Sequence, residues 1–253
     1  MVIAPGRAHR PGAGFALIEP ETQAERDECP FCRGREDRTP PETRRLPEGA
    51  AEWTVRVVPN LYPAVEGQEV IVHSPHHART FAELTDEELE FVADIVSSTD
   101  AFWLVNEGRA AGSSLPHSHS QLASVEPPAE NPAGVGVVLA VDELLVAERD
   151  GLRAVAHPAG RLPYELLLGA ERIRPALLLL RECIARLRSV EGPVPWNAWL
   201  HRGTAPHLEV VPRLTVLAGL ELGAGIYVNS LDPAEAAARL RSTDATPPDQ
   251  AAA

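Results

Sequence analysis

Positive charge is scarce in this 253-residue chain: 23 Lys and Arg stand against 36 Asp and Glu, a formal net charge of −13. That balance argues against an electrostatic hold on nucleic acid or on anionic membranes. It leaves room for a small phosphorylated substrate, which a few local arginines and backbone amides can bind. Aromatic residues make up only 5% of the chain, so the core must rely on Leu, Val, Ala and Ile. No run approaches the roughly 20 apolar residues needed to span a bilayer, and the N-terminus lacks an apolar signal core. A cytoplasmic protein without nucleic-acid or membrane partners is therefore expected. The three cysteines, Cys29, Cys32 and Cys183, are too few and of the wrong parity for a disulfide scaffold. Cys183 falls in an apolar helical run, 175–187, and reads as a buried small hydrophobe.

What is present has a repeating order. Residues 1–50 are rich in Pro, Arg and Glu, and read as an irregular arm carrying Cys29-Pro-Phe-Cys32. Strand-like patterns follow at 53–58 and 69–73, then a capping box, Thr85 to Glu88, opens a helix through Val96. Further strands are expected at 102–105 and 115–124, and 127–132 reads as a linker. The second half repeats the plan, with strands at 152–156 and 164–168, a long amphipathic helix at 174–190, and strands at 196–200 and 207–211. A glycine-rich stretch at 218–229 precedes a closing helix from Asp232, with Pro233 at its first position. The expected organisation is an N-terminal half, 1–126, a C-terminal half, 133–242, and a disordered tail, 243–253.

The chemistry concentrates in Gly112-Ser113-Ser114-Leu-Pro-His117-Ser-His119-Ser-Gln121. On a strand, residues two apart share a face, so His117, His119 and Gln121 should line one surface. The glycine and two serines upstream can bring amides and hydroxyls close to phosphate oxygens. Cys29 and Cys32 have zinc-ligand spacing but supply only two ligands. His73, His76 and His77, or His117 and His119, are the available donors of the other two. A redox Cys-x-x-Cys would open a helix on a compact βαβ unit, whereas this one lies in a Pro-rich arm, which favours a metal.

Several separate segments together resemble the galactose-1-phosphate uridylyltransferase branch of the histidine-triad (HIT) superfamily. They are Gly6–Pro11, Cys29–Cys32, Arg56–Asn60, Ser74–His77, Asn106-Glu-Gly108 through Gln121, and Gly219-Leu-Glu221. They occur in the order of that branch, in which a glutamine replaces the third histidine of the triad. The resemblance implies an α+β fold of two tandem HIT-like repeats, each an antiparallel sheet with a packed helix, and a homodimer. It implies zinc held by Cys29, Cys32, His77 and His117. His119 becomes the nucleophile that takes a nucleoside monophosphate, UMP by family default, from a nucleotide sugar and passes it to a sugar 1-phosphate. Gln121 then donates to a nonbridging phosphate oxygen. Arg7, Arg10, Asn60, Asn106, Gly112, Ser113 and Ser114 bind the nucleotide and its phosphates, and Glu221 binds sugar hydroxyls. A phosphorylase, a hydrolase and a non-catalytic zinc-stapled nucleotide-binding protein are the competing readings.

Two departures stand out. Relatives with a second metal use a His-x-His pair, another histidine and a glutamate. Here His201 and His207 match two of these, Ala205 stands where the pair needs its first histidine, and no glutamate matches, so a second metal is not expected. The chain is also short, with abrupt segments at 96–101 and 203–206.

Overall fold

A computed structural model describes residues 1–5, 17–126 and 134–243. Arg7, Arg10, the linker at 127–132 and the tail from 244 onward lie outside the described residues. The elements run β1 (Val2–Ile3), α1 (Gln23–Glu28), β2 (Arg44–Leu46), β3 (Val55–Pro59), β4 (Glu69–Val72), α2 (Asp86–Ser97), β5 (Phe102–Glu107) and β6 (His119–Ala123). The second half continues with α3 (Val135–Leu139), β7 (Leu145–Arg149), β8 (Leu152–Ala156), β9 (Leu166–Gly169), α4 (Ile173–Glu191), β10 (Trp196–His201) and β11 (His207–Pro212). It closes with α5 (Gly219–Ala224), β12 (Val228–Asn229) and α6 (Pro233–Arg241).

Ten strands form one antiparallel sheet in the order β2-β3-β4-β6-β5-β10-β11-β9-β8-β7. Read outward from the centre, the first half runs β5, β6, β4, β3, β2 and the second runs β10, β11, β9, β8, β7. The fold is α+β, with two tandem HIT-like repeats joined where β5 pairs with β10, Asn106 opposite Asn197. A separate two-stranded pairing, β1 with β12, ties the N-terminus to the end of the second half.

Each half contributes one strand more to this sheet than the sequence pattern predicts. β2 and β7 are the outermost strands, each with a single partner. A three-residue Arg-Arg-Leu segment has too little alternation to stand out, and so the expected irregular arm contains both β2 and α1. Within 115–124 only His119–Ala123 joins the sheet, because Pro116 has no N–H to donate. The glycine-rich stretch at 218–229 also takes regular form, as α5 and β12.

The long helices cover one face of the sheet. Thr85 caps α2, its Oγ1 accepting from Glu88 N at 3.2 Å while the Glu88 carboxylate accepts from Thr85 N at 2.8 Å, the expected capping box. Leu89, Val92 and Val96 of α2, and Leu177, Leu180, Cys183, Ile184 and Leu187 of α4, enter a shared core with Trp103, Val105, Trp196 and Ala198 of the central strands. Each large aliphatic side chain so buried contributes roughly 1.5–3 kcal/mol of transfer free energy. Cys183 is fully buried among them, as its apolar surroundings predict. The other face of the sheet is left for chemistry.

Candidate active site

His119 and Gln121 project from β6 on the face away from the long helices, opposite Val72 and Val70 of β4. Those two valines pack with Val58, Trp53, Phe31 and Cys29 in a small second core that seats the arm. His117 lies just before the strand rather than on it, so the expected row of three side chains is a row of two. Its ring turns instead to the cysteines: Nδ1 is 3.3 Å from Cys29 Sγ and 3.8 Å from Cys32 Sγ. His77 Nδ1 is 3.5 Å from Cys32 Sγ, and ligand atoms of all four residues lie within 4.8 Å of one another.

This donor set fits zinc. Standard Zn–N and Zn–S bonds in a tetrahedron place nitrogen and sulfur about 3.6 Å apart, close to the distances above. The tautomers fit as well. His117 Nε2 lies 3.0 Å from the Ser74 carbonyl, which can only accept, so Nε2 carries the proton and Nδ1 keeps its lone pair for the metal. His77 Nε2 donates to Glu25 Oε1 at 3.1 Å, again freeing Nδ1. Burial pulls the His117 pKa down to about 3, so its ring is neutral. Burial, and Cys29 beside it, push the Cys32 thiol up to about 12, a penalty that a divalent cation would reverse. Of the other candidate donors, His76 is exposed, and His73 is buried between the hydroxyls of Ser118 and Ser120 at 2.9 and 2.8 Å.

The arm is fixed by residues that the spacing alone did not single out. Arg56 is buried under the Cys29–Cys32 turn, over the Trp53 ring, and donates to Pro30 O at 3.3 Å and Thr39 Oγ1 at 3.1 Å. Glu25 accepts from both His77 and Arg79, the latter at 2.6 Å. Arg79 lines the same cleft as His119, so the metal-binding cluster and the cleft share a wall.

His119 is buried, which lowers its pKa and keeps the ring neutral at physiological pH. Its Nδ1 is 2.7 Å from His117 O, again an acceptor-only carbonyl, so Nδ1 is protonated and Nε2 carries the lone pair. Phe31 packs edge-on against both the His117 and His119 rings, at 5.7 and 5.4 Å. The cleft is lined by Ile18, Arg79, Asn106, Gly108, Ser113, His117 and His119. Gly108 has φ +84°, and a Cβ there would meet Pro195 at 2.9 Å, so only glycine lets the loop after β5 rest on the second half. Gly112 (φ +94°) ends the short turn that follows. Ser113 uses its N–H on Gly108 O and its hydroxyl on Leu115 O, whereas Ser114 is exposed. Asn60 directly follows β3, and its Oδ1 accepts from Tyr62 N at 3.0 Å. Glu221, in α5, is buried, receives Ala218 N at 2.9 Å and does not line this cleft.

Comparisons with known proteins agree with this architecture. No family model matches the chain. It is 24% identical to an ADP-glucose phosphorylase of Arabidopsis thaliana, over 97% of this chain and 90% of that protein. The crystal structure of an Arabidopsis thaliana ADP-glucose phosphorylase with bound ADP-glucose superposes with a TM-score of 0.79 at 23% identity, covering 96% of this chain and 95% of the other. A uridylyltransferase mutant structure gives a TM-score of 0.70 at 22% identity, with 90% and 94% covered. The resemblance to the galactose-1-phosphate uridylyltransferase branch stands. In the terms of that branch, the four-residue Cys/His cluster, the His-x-His-x-Gln strand and the Asn106–Ser114 loop come together in the first repeat.

The second repeat holds a different cluster. The rings of His201 and His207 stack at 4.4 Å, and His201 Nε2 is 3.1 Å from Glu209 Oε2. Arg161 pairs with Glu209 and, at 3.0 Å, with Glu165. Among the described residues, no group of three or more metal-binding side chains includes His201 or His207. The residues here do not fit a second metal: a guanidinium already neutralises the carboxylates, and Ala205 supplies no ligand. Glu209, which sequence reasoning did not single out, is drawn into this cluster by His201 and Arg161. Its signal was the two-residue alternation from His207.

Proposed function

We propose that this chain is a nucleotidyltransferase that carries a nucleoside monophosphate on His119. The observation that carries this reading is the His119 tautomer: a neutral, buried imidazole with Nδ1–H tied to His117 O and Nε2 unprotonated beside a loop suited to phosphate. Nε2 attacks the α-phosphorus of a nucleotide sugar, the Pα–O bond to the sugar phosphate breaks, and sugar 1-phosphate leaves with that electron pair. The positive charge that develops on the ring is spread by the Nδ1–H to His117 O hydrogen bond. An acceptor oxygen then attacks the same phosphorus and His119 is regenerated. Zinc on Cys29, Cys32, His77 and His117 would supply structural cross-linking, locking the arm to the residue two before the nucleophile. Gln121 and Asn106 offer donors to phosphate oxygens, and Arg7, Arg10, Asn60, Gly112 and Ser114 complete the nucleotide site in this reading.

We take ADP-glucose as donor and inorganic phosphate as acceptor, giving ADP and glucose 1-phosphate. The similarity to an ADP-glucose phosphorylase over 97% of the chain supports this assignment. The second reading, transfer of UMP from UDP-glucose to a hexose 1-phosphate, is supported by the likeness to uridylyltransferase structures. The branch also implies a homodimer in which Glu221 reaches sugar hydroxyls. The exposed apolar side chains Val216, Leu220 and Leu222 around Glu221 suit burial in such an interface. Sedimentation of the intact protein tests it.

Intact-mass measurement decides the chemistry. ADP-glucose is expected to add one AMP to the wild type and none to His119→Gly. Phosphate should discharge that adduct as ADP, faster than hexose 1-phosphates or water do. A UMP adduct from UDP-glucose alone, discharged by hexose 1-phosphate, would replace the first reading with the second. No adduct with either donor on a folded, zinc-loaded protein would refute nucleotidyl transfer through His119.

A further inference from the structure

A carboxamide can present either a donor or an acceptor to a phosphate, and the difference decides whether it attracts or repels. Two carboxamides stand on the site's face of the sheet, and each is held by a second one. Gln68 Oε1 lies 2.7 Å from Ala64 N. A backbone N–H only donates, so the oxygen of Gln68 must be the atom facing it. Gln68 Nε2 then donates to Gln121 Oε1. With its oxygen occupied on the Gln68 side, Gln121 has its NH2 group to offer elsewhere.

The same logic runs across the junction of the two repeats. Arg213 Nη1 lies 3.1 Å from Asn197 Oδ1, and a guanidinium cannot accept. Asn197 Nδ2 must therefore donate, and it does so to Asn106 Oδ1 and to Ala111 O, both at 2.7 Å. Asn197 has spent both amide hydrogens and has no donor left for a ligand. Asn106 Nδ2 is thereby turned to the loop after β5, where a Cβ on Gly112 would stand 4.0 Å from it.

We propose that Gln68 and Asn197 are positioning residues, which lock the amides of Gln121 and Asn106 with their NH2 groups toward the phosphate of a bound nucleotide. The proposal rests on the nucleotide-binding part of the reading above, but not on the transfer step. Each lock ends in a donor-only group, Ala64 N–H or the Arg213 guanidinium, so the orientation is set outside the cleft before substrate arrives.

The test is direct binding, with AMP, UMP and adenosine titrated calorimetrically into the zinc-loaded protein. In Gln68→Glu the carboxylate still accepts from Ala64 N–H, but its second oxygen cannot donate. Gln121 must then rotate its NH2 toward the introduced carboxylate and present oxygen where it had offered NH2. Affinity for the preferred nucleoside monophosphate should fall about 100-fold, the scale of losing one preorganised donor. Adenosine, which has no phosphate, should bind as before. The added negative charge is controlled by a double substitution: in a Gln121→Ala background, Gln68→Glu should cost less than about twofold. Asn197→Ala, which frees Asn106 to rotate, should weaken the monophosphate about tenfold and spare adenosine. Equal losses for monophosphate and nucleoside, an undiminished Gln68→Glu effect in the Gln121→Ala background, or no monophosphate binding by the wild type would each overturn the proposal. If the binding pattern holds and no covalent adduct forms, the locks stand and only the transfer step is lost.

Discussion

The two repeats place a histidine at the same point and use it differently. His119 opens β6 opposite the last residue of β4, and His207 opens β11 opposite the last residue of β9. Even the hydrogen bond is repeated, since each Nδ1 sits beside the carbonyl two residues before it, at 2.7 Å for His119 and 2.8 Å for His207. The neighbours then diverge. Two residues before the histidine stands a candidate metal ligand in one case, His117, and Ala205 in the other. Two residues after it stands neutral Gln121 in one and Glu209 in the other, with Glu165 close by and Arg161 between the two acids. Burial drives the Glu165 carboxyl above its ordinary pKa. Burial does the same to Glu209, but the His201 hydrogen bond and Arg161 outweigh it and hold that carboxyl down. An incoming phosphate meets donors in the first repeat and carboxylates in the second. Backbone geometry supplies an oriented imidazole twice, and the flanking charges decide which one can serve as a nucleophile.

That contrast breaks if both histidines matter equally. His119→Ala is expected to lower turnover of ADP-glucose on the order of 10⁴-fold, as loss of a covalent nucleophile does, whereas His207→Ala should change it less than about threefold. Steady-state assays of the two variants side by side check this. Exchanging the residues at the second position sharpens it further. Gln121→Glu should cut activity roughly 100-fold with an unchanged melting temperature, because it sets a carboxylate against phosphate. Glu209→Gln should leave activity near wild type but cost about 1–2 kcal/mol in urea denaturation, since it removes one of the two carboxylate partners of Arg161 in a partly buried site.

Metal dependence should divide the repeats in the same way. Removing zinc with a chelator, or Cys32→Ser, is expected to lower the melting temperature by about 10 °C, a loss of several kcal/mol in a chain of this size. His201→Ala should leave the chelator-induced shift unaltered. The smallest effects concern the helices. Thr85 caps α2, while Arg172 precedes α4 with no side-chain cap. Thr85→Ala should therefore cost about 1 kcal/mol, and Arg172→Asp should gain a few tenths to 1 kcal/mol, both read from urea midpoints.

Local signals carried most of what the sequence revealed. The Thr85–Glu88 capping box, the apolar spacing of α4 and the alternation of β8 depend on near neighbours, and each lies where the pattern predicts. The grouping of Cys29, Cys32, His77 and His117 was legible only through the family resemblance, since the Cys-x-x-Cys spacing left its two histidines open, and the four do lie together. Edge strands were harder, since β2 and β7 need only one partner and bury little. The residues that orient the site were not legible at all. Gln68 touches Gln121 across 53 positions and Asn197 touches Asn106 across 91, and an amide in a loop or a strand carries no mark of its distant partner. Glu25 was hidden for the same reason, reading as ordinary charge in a charged arm, and Arg56 stood in a recognised segment whose contact with the Cys29–Cys32 turn its sequence did not show. The helix lengths offer one more lesson. α2 has 12 residues and α4 has 19, so the abruptness at 96–101 reflects a helix about two turns shorter than its counterpart in the other repeat.

The central pairing of β5 with β10 also carries a hazard. Trp103 and Val105 on one strand, and Trp196 and Ala198 on the other, are buried only while both repeats are folded. Were either repeat to open alone, its partner would expose a six-residue edge strand with free backbone donors and acceptors and a bared tryptophan, a ready template for pairing with another copy. Protection against aggregation therefore requires the two repeats to unfold together, and any substitution that uncouples them should first be seen as loss of solubility.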